Sequence, residues 1–144
     1  MSFKGELAAF AAKSSKNMET VTRKVLLDIG TRLIERTPVG DPELWQSSPP
    51  SGYAGGRARG SWQYGFSTPV TSYKGTIDPS GSTTLTTLGN DINPVPGIHF
   101  ITSVLPYMQA LEDGHSTQAP NGMVGLVKVE FLNIVEIAVK ELGT

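Results

Sequence analysis

Glu112, Asp113 and His115 put two carboxylates and an imidazole within four consecutive positions. Such a group suits a divalent cation, but a protein-only metal site needs three or four convergent ligands at matching spacing. A single histidine falls in this cluster. The competing reading has Glu112 and Asp113 finishing a helix and His115 opening a loop. The run Gly55-Gly56-Arg57-Ala58-Arg59-Gly60 has the composition of a phosphate cradle. Glycines let backbone amides close on a phosphate, and arginines add charge. A phosphate loop follows a strand and opens a helix, whereas this run follows a proline-rich stretch and opens a strand. The competing reading is a turn whose arginines make salt bridges or line a surface. His99 has no carboxylate or nucleophile close in sequence, and a strand face is its expected place. The chain has no GxSxG, Walker-type loop or HExxH. No catalytic residue, metal ligand or cofactor site is assigned, and the chain is read as a non-enzyme. A metal-dependent or phosphoryl-handling enzyme would need Arg57, Arg59, Glu112, Asp113 and His115 to converge.

The elements that must position these residues follow from hydrophobic spacing. Residues 3–36 predict a helix, because Phe3, Leu7, Phe10, Ala11, Met18, Val21, Val25, Ile29 and Leu33 share a face at a period of 3.6. A straight helix of that length reaches about 50 Å, more than a compact domain of this size is wide. So it either breaks at Ser14-Ser15-Lys16-Asn17, where cap-type residues cluster, or projects toward a neighbour. Thr37-Pro38 ends it, since the residue before proline disfavours helix. Residues 38–59 predict a long Pro/Gly-rich loop that carries Trp45 and Tyr53. Loops of that length tend to be functional or disordered.

Residues 60–67 alternate aromatic with small or polar residues and predict a strand with Trp62, Tyr64 and Phe66 on one face. Trp62 and Phe66 are assigned to the core. Residues 70–77 predict a weaker strand, and Asp78-Pro79-Ser80-Gly81-Ser82 a turn. A short helix over Thr83–Leu88 starts from Ser80 or Ser82. Residues 98–104 predict a strand, and 106–112 a short helix with Pro106 in its first turn and Gly114 at its end. Residues 122–142 predict a second long helix, with Val124, Val127, Phe131, Ile134, Val135, Ala138 and Leu142 on one face. Leu126, Val129 and Ile137 lie near the opposite face. Apolar residues on two sides of a terminal helix mean either a subunit interface or a central place in the fold.

Composition bounds the rest. The 144 residues suit a single domain with one core. A formal net charge of -1 argues against a dedicated nucleic-acid binder and gives no reason to expect an anionic membrane as partner. The absence of cysteine excludes disulfides, thiolate catalysis and cysteine-based metal sites. No apolar run is long enough to span a bilayer. The first residues lack a signal peptide's layout, because Glu6, Lys13 and Lys16 interrupt it. Synthesis in the cytosol is expected.

The order of motifs carries one further reading. A long first helix ends in Thr37-Pro38-Val39-Gly40; a glycine-arginine turn leads into the Trp62 strand. A later strand runs into Leu105-Pro106-Tyr107, the Met108–Glu112 helix and Gly114-His115-Ser116. Then Gln118-Ala119-Pro120-Asn121-Gly122-Met123-Val124 opens the last helix. This layout, over about residues 20–142, resembles the HK97 gp10-type family of tailed-bacteriophage neck, tail-completion or head–tail joining proteins. The segment around Asp41–Tyr53 departs from that pattern as an insertion.

The resemblance implies a structural virion protein, assembled in the host cytoplasm, that forms a homo-oligomeric ring at the phage neck. Six copies are expected, with twelve as the alternative. Its implied partners are a head connector or stopper protein on one side and a tail terminator or tail tube protein on the other. Genomic DNA passes through the lumen without sequence-specific binding. A tail terminator or minor capsid protein is the alternative role. The expected fold is α+β: the long N-terminal helix and the C-terminal helix pack on a small, mainly antiparallel sheet. Interface candidates are Trp45, Tyr53, Arg57 and Arg59 in the loop and turn, and Tyr107, Leu126, Val129 and Ile137 in the second region. Aromatics and arginine are enriched at interface cores.

Overall fold

The computed structural model describes residues 3–40, 55–73, 76–106, 108–114, 116 and 118–142. Helix α1 runs unbroken over Phe3–Arg36, 34 residues and about 51 Å. The cap-type residues at 14–17 do not interrupt it. Alanines at 8, 9, 11 and 12 supply the strongest helix propensity just before them. Thr20 also turns its hydroxyl inward, donating to the Lys16 carbonyl at 3.0 Å. Among the described side chains of α1, burial begins in the second half, at Leu26, Leu33 and Ile34. The helix stops as expected at Thr37, whose N–H bonds back to the Leu33 carbonyl at 3.1 Å.

Strands β1 (Gln63–Phe66) and β2 (His99–Thr102) pair antiparallel, with Tyr64 opposite Ile101 and Gly65 opposite Phe100. Both are shorter than expected. Arg59–Ser61 forms a 3-10 turn rather than the start of a strand. The second strand expected over 70–77 is not formed among the described residues there. Ser67 takes a left-handed φ of 66°, and Pro69 offers no N–H, so the chain leaves the ladder. Side chains tether it instead: the Gln63 amide donates to the Ser72 carbonyl at 2.7 Å.

Helix α2 (Ser82–Asp91) is longer than the Thr83–Leu88 expected. Its start is also set differently. The Asp78 carboxylate accepts the Gly81 N–H at 3.2 Å, the Thr84 N–H at 2.7 Å and the Thr84 hydroxyl at 2.8 Å. Ser80 and Ser82, the expected starters, bond to each other at 2.9 Å. A buried carboxylate is the better acceptor for amides at a helix start, because the helix dipole favours a negative charge there. Short helix α3 (Met108–Glu112) precedes α4 (Val124–Glu141).

The fold is α+β. A two-strand ribbon is marginal alone; here it gains its stability from the helices around it. Leu26, Leu33 and Ile34 of α1 join Trp62, Tyr64, Leu88, Ile92, Met123, Val127 and Ile134 in one core. Trp62 is buried as expected; Phe66, also expected in the core, is only half-buried against it, and Tyr64 is buried instead.

Candidate functional site

Glu112 closes α3 and faces the start of α4. Its carboxylate accepts the N–H groups of Met123 at 3.0 Å, Val124 at 2.8 Å and Gly125 at 3.0 Å. These are amides that the first turn of a helix leaves without partners. Desolvation pushes the Glu112 pKa up, but the Gly125, Val124 and Met123 amides, helped by Lys128, outweigh it and hold the carboxyl below its ordinary range. Gly122 makes the contact fit, since at φ +76° a side chain there would press on Glu112. Asp113 is exposed and accepts the Gln109 amide at 3.1 Å. His115 lies outside the described residues. Among the described residues no three acidic or imidazole groups come together. Glu112 thus serves as the cap of α4.

The glycine-arginine turn is likewise built into the fold. The Gly56 carbonyl accepts N–H bonds from Gly60 and Asp78, both at 3.0 Å. At φ +106° a side chain on Gly56 would meet the Asp78–Pro79 backbone. Arg59 makes no salt bridge among the described residues. It donates to three carbonyls: Thr37 at 2.8 Å, Pro79 at 2.8 Å and Glu35 at 3.1 Å. Two of these sit at the C-terminal end of α1, where carbonyls lack helical partners and a cation is favoured. The same end anchors Trp62, whose indole N–H donates to the Thr37 hydroxyl at 2.8 Å. That hydroxyl donates onward to the Leu33 carbonyl at 2.6 Å. Thr37 is fully buried. So Thr37-Pro38, the glycine-arginine turn and Trp62 form one structural junction. Arg57 is exposed beside it.

Ion pairs lock α4 to α1. Glu130 receives both Arg32 and Arg36, and Lys24 bridges Asp28 at 3.3 Å and Glu141 at 3.2 Å. Hydrogen bonds from Arg36 and Arg32 hold the Glu130 carboxyl below its ordinary range. His99 sits on β2, its Nδ1 2.8 Å from the Tyr64 hydroxyl and its ring 5.3 Å from that of Phe66.

Helix α4 adds exposed apolar residues to the surface. It buries Val127, Ile134 and Ala138. Val129 is 85 % exposed and Leu132 75 %. Leu126 and Ile137 are half-buried, so of the three candidates on this helix Val129 is the outermost. Val124 and Phe131, expected on the buried face, are 40 % and 46 % exposed. On an ideal helix they stand roughly 40–60° from Val127. On that side a cleft of about 450 Å³ lies between α1, α4 and β2. Leu26, Ile29, Leu33, Ile101, Val124, Val127 and Phe131 line it, with His99 and Lys128. Sequence reading missed both Leu132 and the cleft. Leu132, three residues from Val129, was the available signal; a cleft depends on how separate elements pack and leaves no local mark. Trp45, Tyr53 and Tyr107 lie outside the described residues.

Among the described residues no helix is long and apolar enough to cross a membrane. No protein-family model, curated protein or solved structure matches the chain.

Proposed function

We propose that this chain is a structural virion protein that self-associates into a ring at the neck of a tailed phage, joining head connector to tail. The observation that carries the self-association is the outward side of α4. Val129 and Leu132, at 85 % and 75 % exposure, lie one turn apart on a helix already anchored by its other side. Adjacent exposed aliphatics of this kind mark interaction sites more often than isolated ones do. The motif order from Thr37-Pro38 to the Gly122–Val124 helix start supports the neck assignment by resemblance. Spending Arg59, Trp62 and Glu112 on internal bonds is in keeping with a protein whose motifs shape a scaffold. A net charge of -1 suits a lumen through which DNA slides without sticking.

The test is the mass of the protein by light scattering over a concentration series, followed by imaging of assembled particles. A closed oligomer, found between connector and tail, is the expected result. A ring found capping tails that have not joined heads would move the assignment to a terminator. A protein monomeric at every concentration and absent from particles would overturn it.

A further inference from the structure

The first half of α1 and the cleft both expose apolar side chains among the described residues. No residue with a described side chain among 4–18 is buried. Leu7 is 57 % exposed and Met18 64 %, and Ala8, Ala9 and Ala12 are exposed with them. This is a helical arm whose apolar side chains Leu7 and Met18 are not buried by the described residues. The cleft between α1, α4 and β2 is largely apolar and open, with Leu26–Leu33 on one wall and Val124–Phe131 on the other. Each wall spans eight residues, about 10 Å or two helical turns from end to end.

The arm cannot enter its own cleft. Leu26, Ile29 and Leu33, which wall it, belong to the same unbroken helix as Leu7. Folding back would require a hairpin within Phe3–Arg36, where the helix is continuous. A second copy has no such restriction. We infer that the cleft receives the exposed first half of α1 from a neighbouring copy of this chain. The arm's alanines allow a close helix–helix approach, at the short end of the roughly 8–10 Å range. Among the described residues Lys128 at the rim makes no ion pair and no carboxylate lines the cleft. Glu6, exposed beside Leu7, brings one. One arm and one cleft per chain give a heterologous contact, which repeats around a ring or along a filament. This inference names the partner surface of the self-association proposed above and rests on that reading.

The test uses two full-length variants, Leu7→Glu in the arm and Phe131→Glu in the cleft. Both residues are 46 % exposed or more, so each variant keeps the wild-type circular dichroism and denaturation midpoint. Each alone shifts the concentration of half-assembly at least tenfold upward by light scattering. An equimolar mixture forms dimers, because one variant keeps its cleft and the other its arm. Should Phe131→Glu disturb folding, Leu7→Cys with Phe131→Cys in this cysteine-free chain gives the same answer. Oxidation then yields a ladder of covalent multimers that neither single variant shows. Wild-type-like assembly of both charge variants, or a mixture that stays monomeric, overturns the arm-in-cleft contact while leaving a ring intact. A wild type monomeric at every concentration overturns the ring and this inference together.

Discussion

At the scale of single residues, the polar side chains that look most like chemistry are those that close the fold. Thr37 shows this most directly, because its hydroxyl both accepts from Trp62 and donates to Leu33. Thr37→Val leaves the buried indole N–H without an acceptor, and such a group costs about 1–3 kcal/mol. Chemical denaturation should show a loss in that range; an unchanged midpoint would mean that the junction carries no stability. Asp78, Glu112 and Glu130 all have carboxyls held below their ordinary values, 3.8 for aspartate and 4.5 for glutamate. At Asp78, desolvation opposes the shift, and the Thr84 and Gly81 amides with the Thr84 and Ser80 hydroxyls outweigh it. The native state therefore binds protons less readily than the unfolded chain. The stability from these groups is complete above the ordinary values and is lost as pH falls through the lowered ones. Denaturation midpoints should fall between about pH 5 and pH 2. Glu112→Gln should shallow that fall and cost about 1 kcal/mol at neutral pH, the usual worth of a helix cap. An acid slope identical to wild type would show that Glu112 does not cap α4.

At the scale of elements, the helices and the ribbon were legible and their fastenings were not. The bounds of α1 could be read almost to the residue, since a long 3.6-period stripe ends at a Thr-Pro pair. The Trp62-Tyr64-Phe66 alternation located β1, and Gly114 with its φ of +86° ended α3 as expected. The cap of α2 could not be read, because Asp78 reaches across a turn to Thr84, six positions on. Nor could the loss of the strand expected near residue 70, which follows from a left-handed Ser67 and Pro69. The α4 stripe told which residues are apolar but not how α4 packs against its neighbours, so Phe131 and Val124 were placed too deep. Of the proposed contact surface, Val129 was visible as an apolar residue off the main stripe; Leu132 and the cleft were not. Gly122→Ala tests one such fastening. A side chain at its positive φ is strained and presses on Glu112, so a loss of at least about 1 kcal/mol is expected in denaturation. Stability equal to wild type would contradict the close approach of α3 to the start of α4. Hydrogen exchange tests another: amides over 5–18 should exchange much faster than those over 26–36, because only the latter are packed. Uniform protection along α1 in dilute monomer would contradict an unpacked segment over 6–18.

At the scale of the whole molecule, one chain presents an exposed arm, an open apolar cleft and an aliphatic ridge on α4. A ring subunit needs two different patches, and closure depends on the angle between them. The ridge is tested by Val129→Asp combined with Leu132→Asp. Both are surface positions, so monomer stability should change by no more than about 0.5 kcal/mol. Self-association should weaken at least tenfold, equivalent to about 1.4 kcal/mol. The central claim is that this chain assembles with itself into a closed ring. Light scattering on the wild-type protein across a concentration series tests that most directly. The account predicts a single discrete multimer whose mass stops growing with concentration. A mass that stays at 15.4 kDa throughout would contradict it.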